Sequence, residues 1–125
     1  MARVLTRAEA KHMGLPGRTS LEIVSGEKGS RAVTLRLVEI AVPKAGDKPR
    51  GRHFHSDTEE CIYVLSGRGC TESESGNHSL NPGDAILIPA GEPHVTRNTG
   101  SEPLVLLCFF AAPDVSAGTT EFKSF

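Results

Sequence analysis

The sequence predicts an all-β protein, a sandwich or barrel of roughly eight to ten short strands. The 125 residues include 13 glycines and 8 prolines, scattered without a period, which is typical of many turns and few long helices. Between the turns lie short apolar runs and alternating stretches, with turn signals roughly every eight to twelve residues. Because no repeat or linker divides the chain, residues 1–125 are predicted to form one domain.

Composition argues against several classes of protein. The chain has 14 Lys and Arg against 15 Asp and Glu, a net charge of −1, so it lacks the basic excess typical of nucleic-acid or membrane-surface binding. Residues 1–7 lack the apolar segment of a secretory signal, and the longest apolar run, residues 104–112, is too short to cross a membrane. The 3 cysteines are widely spaced and odd in number, which favours a reducing compartment over a disulfide framework. We therefore expect a cytoplasmic protein.

The N-terminal arm, residues 1–20, is predicted to carry one short helix or turn. Thr6 and Glu9 have the spacing of a capping box, in which the two side chains satisfy free amides at a helix start. A helix that begins there would continue to about His12, where a Gly and a Pro soon stop it. The segment carries no residue pattern that suggests chemistry.

Two strand candidates follow the arm, at residues 21–24 and 31–42. In the longer one, apolar residues occupy alternate positions up to Leu37 and the opposite parity from Val38 onward. Because strand side chains alternate between the two faces of a sheet, this change of parity predicts a bulge or a crossing between sheets.

The second half of the chain alternates strand candidates with turns, at residues 61–65, 70–74, 78–80, 85–88, 94–97 and 104–110. The last candidate is apolar at both parities, which predicts a strand buried on both faces. The C-terminal tail, residues 112–125, is polar and rich in Gly, Ser and Thr. We expect the tail to be loosely attached or to contact a neighbouring subunit through Phe122 and Phe125.

Residues that could bind a metal ion lie between positions 53 and 98. His53 and His55 are two residues apart, so in a strand both imidazoles project to the same face. Glu60 begins the next apolar run, and His94 follows a corner rich in Pro and Gly. Three imidazoles and one carboxylate suit Fe(II), Mn(II), Ni(II) or Zn(II), and they leave one or two coordination positions open for a substrate.

These residues resemble the two motifs of the cupin superfamily, written G(X)5HXH(X)3–4E(X)6G and G(X)5PXG(X)2H(X)3N. The positions that match the first motif are His53, His55, Glu60 and Gly67. Those that match the second are Gly83, Pro89, Gly91, His94 and Asn98. One position departs from the pattern, because the first glycine is expected at Asp47 and Gly46 lies one residue earlier.

The resemblance implies a double-stranded β-helix, or jelly-roll barrel, with its motifs at residues 46–98. It also implies one divalent transition metal held by His53, His55, Glu60 and His94. The six-residue step to Gly67 selects Glu60 over its neighbour Glu59. Because successive side chains in a strand point to opposite faces, Glu59 then points away from the metal site. The turn residues Gly67, Gly83, Pro89 and Gly91 would shape the corners, and Asn98 would anchor the backbone of its corner.

Other side chains near the predicted site are candidates for substrate binding. Arg36, Arg52 and Arg97 flank the histidines in sequence or enter the site on a strand, and Arg50 lies close by. A guanidinium binds carboxylate or phosphate groups through two parallel hydrogen bonds. By parity, Tyr63 is expected outside the metal cavity, and the cysteines are expected to act as small hydrophobic residues.

Two functions remain open from the sequence. The first is a small metalloenzyme that acts on an oxygen-rich substrate, such as a carboxylate, a keto acid or a sugar-like molecule, by oxygenase, isomerase or lyase chemistry. The second is a non-catalytic cupin that binds a small molecule as a sensor or carrier. In either case we expect a homodimer, because the apolar strand at residues 104–110 and the edges of the barrel need covering.

Overall fold

The computed structural model describes residues 1–122, so Phe125 lies outside the described residues. Its strands are β1 (Lys11–His12), β2 (Thr19–Val24), β3 (Thr34–Ile40), β4 (His53–His55), β5 (Glu60–Ser66), β6 (Gly69–Ser73), β7 (Gly76–Leu80), β8 (Ala85–Ile88), β9 (His94–Asn98), β10 (Leu104–Phe110) and β11 (Thr119–Glu121). Single 3-10 turns occur at Arg7–Glu9, Gly26–Lys28 and Ser116–Gly118. Within the described residues, no helix is long and apolar enough to cross a membrane.

The strands form two antiparallel sheets. One has six strands in the order β1-β2-β3-β10-β5-β8, and the other has five in the order β11-β4-β9-β6-β7. Neighbours that are distant in sequence, such as β3 and β10, give the sheets the connectivity of a jelly roll. The predicted all-β fold is confirmed.

The inner face of the six-stranded sheet has an apolar end and a polar end. Toward one end, Val38 on β3 faces Leu106 on β10, which in turn faces Val64 on β5. All three side chains are buried and belong to the hydrophobic core. Toward the other end, the corresponding positions carry buried polar side chains, Arg36 on β3 and Glu60 on β5. The hydrophobic core therefore fills one end of the barrel, and buried polar side chains line the other end.

This division explains why the bulge or sheet crossing predicted within β3 is wrong. Thr34, Arg36, Val38 and Ile40 all point inward, so alternation is regular along the strand. The inward-facing residues of β3 are polar at the start of the strand and apolar at its end. The apolar residues therefore change parity along the sequence although the strand is regular. The register shift in this region lies in the pairing with β2, beyond Glu22.

Two further expectations about single elements are corrected. The N-terminal arm has the turn, one of the two predicted alternatives, as a single 3-10 turn at Arg7–Glu9, and it does not continue as a helix to His12, which lies on β1. The Thr6 hydroxyl donates to the Glu9 carboxylate at 2.9 Å and caps no backbone amide. The strand β10 is buried on its inner face, but Phe109 on its outer face is 41% exposed. Its outward-facing apolar side chains lie on the outer surface of the sheet, and no further layer of the described residues packs against them.

Asn98 joins the end of β9 to two other segments. Its amide nitrogen donates to the carbonyl oxygens of Ile40 at 2.9 Å and Glu102 at 2.8 Å, and its amide oxygen accepts from the Gly100 N–H at 2.8 Å. Two of these bonds satisfy backbone groups of the loop before β10, and the third satisfies the carbonyl oxygen at the end of β3. Asn98 thus fixes the loop that sets the start of the central strand.

Candidate metal centre

Four side chains with metal-binding atoms meet at the polar end of the barrel. One ligand atom from each of His53, His55, Glu60 and His94 lies within 4.8 Å of the others. Glu60 is 4% exposed and His94 is 1% exposed, so this cluster is shielded from solvent. The structure therefore brings together the four residues that the sequence motifs single out.

Both sheets contribute to this cluster. His53 and His55 lie on β4, and His53 pairs in register with His94 at the start of β9 in the same sheet. Glu60 begins β5 of the opposite sheet. Gly91, with a φ of +82°, permits the sharp corner before His94, and its N–H donates to the His55 carbonyl oxygen at 2.7 Å. The corner is thereby tied to the strand that carries two of the histidines.

The Glu60 carboxylate is the centre of the cluster. Its Oε1 atom lies 2.9 Å from His94 Nε2 and 3.3 Å from His55 Nε2. The rings of His53 and His94 are 4.3 Å apart between centroids. The Nε2 atoms of His55 and His94 and the carboxylate thus converge on one small volume.

Hydrogen bonds behind two of the histidines set which ring nitrogen faces this volume. The Thr119 hydroxyl donates to the Val115 carbonyl oxygen at 2.6 Å, so at 2.8 Å it accepts from His55 Nδ1–H. His94 Nδ1–H donates to the Glu92 carbonyl oxygen at 2.8 Å. A histidine whose Nδ1 donates in this way presents the lone pair of Nε2 to a metal ion.

The donor set fits a divalent metal ion. The buried Nε2 of His55 has no hydrogen-bond partner among the described residues, and it faces a carboxylate oxygen that also accepts. Two acceptors that face each other in a buried site need a cation between them, since an unpaired buried polar atom is costly. Three imidazoles and a carboxylate are the ligands that Fe, Mn, Ni and Zn accept.

The ionisation of these groups is strongly coupled. Burial opposes ionisation of Glu60, but the neighbouring imidazoles of His55 and His94 together outweigh it and hold the pKa of this carboxyl well below its usual range. Burial lowers the pKa of His94, yet the hydrogen bond to Glu60, the charge of that carboxylate and the contact with Glu92 together outweigh burial and raise it. Burial, together with the charge of His94, lowers the pKa of His53 to about 3. The site therefore offers a carboxylate and a neutral His53 at neutral pH.

The cluster lies in the wall of a cavity of about 380 Å³. Its lining includes apolar side chains from the core and three arginines, Arg18, Arg36 and Arg50. The N-terminal arm contributes Arg18, and β11 contributes Glu121, which pairs with Arg18 at 3.3 Å. This role of the two terminal segments is not predictable from the sequence, because a short polar strand such as β11 has too few residues for a recognisable pattern.

The arginines suggested by the sequence have different surroundings. Arg36 lines the cavity, but its guanidinium pairs with Glu22 at 2.9 Å, and both side chains are buried. Arg97 pairs with Glu72 at 2.6 Å. Arg52 and Arg97 line neighbouring pockets and are not part of the lining of this cavity. Within the described residues, Arg50 is the arginine that combines a place in the cavity with no acidic partner within 4.0 Å.

Other side chains near the cluster are not suited or not placed to bind the metal. Cys108 on β10 lines the cavity, and burial, reinforced by the Glu60 charge, raises the pKa of its thiol well above the usual range. A thiol of this kind stays protonated and is a poor ligand. Tyr63 is 43% exposed on the outer face of β5, and Glu59 is exposed beside Glu60.

Comparison with known proteins identifies related chains. A family model described as "Cupin domain" matches residues 38–110. An uncharacterized protein of Methanocaldococcus jannaschii, MJ1618, is 37% identical over 78 residues, which cover 62% of this chain and 61% of that protein. A glucose-6-phosphate isomerase of Thermococcus gammatolerans is 34% identical over 67 residues, which cover 48% of this chain and 35% of the isomerase. These matches therefore span less than two thirds of the relatives' own length.

Similarity also extends to solved structures. The S161A mutant of Bacillus subtilis oxalate decarboxylase OxdC superposes with a TM-score of 0.77 at 21% sequence identity. The superposition covers 93% of this chain and 31% of the decarboxylase. At this identity the likeness concerns the fold of the barrel.

Proposed function

The chain belongs to the cupin family, and from that premise we propose that it is a small metalloenzyme that acts on a small, oxygen-rich substrate. The proposed cofactor is one divalent transition metal ion, Fe, Mn, Ni or Zn, held by His53, His55, Glu60 and His94. When bound, such an ion acts as a Lewis acid for substrate oxygens and, if it is redox-active, supports oxygen chemistry. The proposed reaction classes are oxygenase, isomerase and lyase.

The observation that carries the proposal is the orientation of the ligand atoms. Two imidazoles are turned by backbone and Thr119 contacts so that Nε2 faces the carboxylate of Glu60. The buried Nε2 atom of His55 has no hydrogen-bond partner among the described residues, which is costly unless a cation satisfies it. The adjoining cavity of about 380 Å³ is large enough for a small organic molecule.

The residues around the ligands support a role in orienting a substrate. Arg36, which is buried and paired with Glu22, lines the cavity, and apolar side chains such as Leu106 and Phe110 line it as well. Buried, partly apolar walls of this kind strengthen electrostatic interactions with a bound substrate. The names of the similar proteins, an isomerase and a decarboxylase, describe those proteins and widen the set of reactions to test.

The experiment is an activity screen of protein loaded separately with Fe(II), Mn(II), Ni(II) or Zn(II). Keto acids, dicarboxylates and sugar phosphates serve as substrates, with oxygen uptake, CO2 release and proton NMR as readouts. The His94→Ala protein, treated with the same metals, is the control. Turnover that depends on His94 supports the proposal, whereas substrate binding without turnover for every metal would favour a non-catalytic binding protein.

The proposed assembly is a homodimer formed through the outer face of the six-stranded sheet. Phe109, Cys61 and Leu87 form one row across β10, β5 and β8, and Leu107, Tyr63 and Ala85 form the next. Phe109, Tyr63 and Leu87 are 41%, 43% and 63% exposed, respectively. A contiguous apolar patch of this kind is typical of an interaction surface. A second copy with the same patch would cover it by two-fold symmetry.

The proposed location is the cytoplasm. The 3 cysteines, Cys61, Cys70 and Cys108, are free thiols in the structure. Free thiols are typical of proteins in a reducing compartment.

A further inference from the structure

Arg50 lies in the cavity wall beside the metal-binding cluster. It precedes His53 by three residues, and its guanidinium donates to the carbonyl oxygen of Thr96. Thr96 and His94 both point inward from β9 and are separated by one intervening residue. Arg50, Thr96 and His94 all line the same cavity, so the guanidinium and the candidate ligands face one space.

The charge of Arg50 is unbalanced among the described residues. Arg18 pairs with Glu121, and Arg36 pairs with Glu22, so the other two cavity arginines are compensated. No carboxylate within the described part of the chain pairs with Arg50. Burial lowers the pKa of Arg50 to about 10, and the positive charges of Arg18 and Arg97 act in the same direction.

The position of Arg50 is fixed by contacts on both sides. A Cβ atom on Gly17 would lie 2.5 Å from Arg50 Cδ, and Gly17 has a φ of +71°, so the arm leaves room for the arginine only because this residue is glycine. Arg97 donates to the Arg50 carbonyl oxygen at 3.0 Å while it pairs with Glu72. Arg97 is therefore a positioning residue whose own charge is already compensated.

A partly buried guanidinium with spare donors is suited to a planar anion. Arginine has five N–H donors, and the described residues use Arg50 as a donor in one hydrogen bond. Carboxylate and phosphate groups accept two parallel bonds from such a guanidinium. An anion would also supply the negative charge that the cavity lacks at this point.

We propose that Arg50 is the anion-binding residue of the cavity and that the substrate is a small organic anion. Its carboxylate or phosphate group binds Arg50, and its other oxygens face His53, His55, Glu60 and His94. This inference rests on the proposed function for the metal cluster. The two compensated pairs contribute no net charge, so a dication held by Glu60 together with Arg50 would give the cavity an excess of positive charge, which favours an anion over a neutral sugar.

The test uses malonate and inorganic phosphate as probe anions and malonamide as the neutral analogue of malonate. Isothermal titration at low ionic strength measures binding to the metal-loaded wild-type protein and to Arg50→Gln, Arg50→Lys and Arg68→Gln. Arg68 is an exposed arginine in the turn before β6, so Arg68→Gln removes the same charge away from the cavity. Metal content is measured for every variant.

The expected result is that at least one probe anion binds and that Arg50→Gln weakens its binding by roughly tenfold or more. Arg50→Lys should keep part of the affinity, because it retains the charge without the planar fork. Arg68→Gln should bind as the wild type does, and metal content should be the same throughout. Preference for malonate or for phosphate then identifies the anionic group of the substrate.

Several results would overturn the inference. These are equal binding to wild type and Arg50→Gln, equal binding of malonamide and malonate, or no binding of either anion. If Arg50→Gln does not fold, the wild type is treated with phenylglyoxal, and failure of malonate to protect Arg50 in mass spectra overturns the inference. If the wild type binds no metal, the proposed function fails separately, and the same anion titration of the metal-free proteins decides the role of Arg50.

Discussion

The Nδ1 atom of His55 and the hydroxyl oxygen of Thr119 lie 2.8 Å apart, although the two residues are separated by 64 positions in the chain. The contact forms because Thr119 on β11 pairs in register with His55 on β4. The Thr119 hydroxyl donates elsewhere, to Val115, and so must accept from His55. A residue of the C-terminal tail thus determines which nitrogen of a candidate ligand faces the metal site.

Thr119→Val is expected to lower metal affinity by roughly 10- to 100-fold, since loss of a hydrogen bond behind a ligating histidine typically has this effect. Valine has nearly the same shape, so the strand should keep its pairing. Thr119→Ser retains the hydroxyl and should bind metal nearly as tightly as the wild type. Competition with a chromophoric chelator measures the affinities.

The matched control is Thr120→Val, on the same strand with an exposed side chain. It tests whether a β-branched apolar residue in β11 alone changes affinity. If Thr119→Val and Thr120→Val bind metal equally well, the hydrogen bond to His55 has no role in the site.

Metal binding is expected to release protons, because the metal displaces the proton that His94 holds below its pKa. The hydrogen bond to Glu60 and the charge of that carboxylate together outweigh burial and raise this pKa, so the release extends to a higher pH than for a free imidazole. His53, with its pKa lowered by burial to about 3, is already neutral and releases none. Because protons compete with the metal, affinity should fall as pH falls below 7.

Calorimetry in buffers of different ionisation enthalpy counts these protons directly. Titrations between pH 6 and pH 8 then give the sign of the pH dependence. Proton uptake on binding, or affinity that rises as pH falls, would contradict the assigned ionisation states.

Asn98→Ala is expected to destabilise the fold by about 3 kcal/mol, since a buried hydrogen bond contributes about 1 kcal/mol. The side chain of Asn98 makes three such bonds, to Ile40, Gly100 and Glu102. Urea unfolding of metal-free protein measures the change in the free energy of unfolding. Asn77→Ala, at an exposed position of β7, is the control, and an equal loss for both variants would remove the anchoring role of Asn98.

Phe109→Asp is expected to convert the proposed dimer to a monomer in sedimentation velocity. Phe109 is 41% exposed and lies in the outer apolar rows of the sheet, so the change places a charge in the interface without entering the core. Asp114→Asn, at an exposed site after β10, serves as a surface control. A wild-type chain that sediments as a monomer at micromolar concentration would contradict the assembly.

The four candidate ligands could be predicted from sequence because their spacing is local. His53 and His55 share a face because strand side chains alternate. The corner before His94 is predicted by its Pro and Gly residues. The turn at Gly67 follows in the same way. These features depend on neighbours within a few positions, which a single sequence displays.

Features that depend on which strands pair could not be predicted. The Glu22–Arg36 pair exists because β2 and β3 align these residues, and nothing in the sequence specifies that register. The role of Thr119 likewise depends on β11 joining β4. Apolar residues at both parities of β10 predict burial on both faces, because the sequence does not distinguish a covered face from an interaction surface.

The most direct test of the metal centre is elemental analysis of protein purified without chelator. The wild type and His12→Ala, whose histidine is exposed on β1, should each contain about one equivalent of a transition metal per chain, and His94→Ala should lose most of it. Less than about half an equivalent in the wild type, with the same content in His94→Ala, would contradict the proposed metal centre.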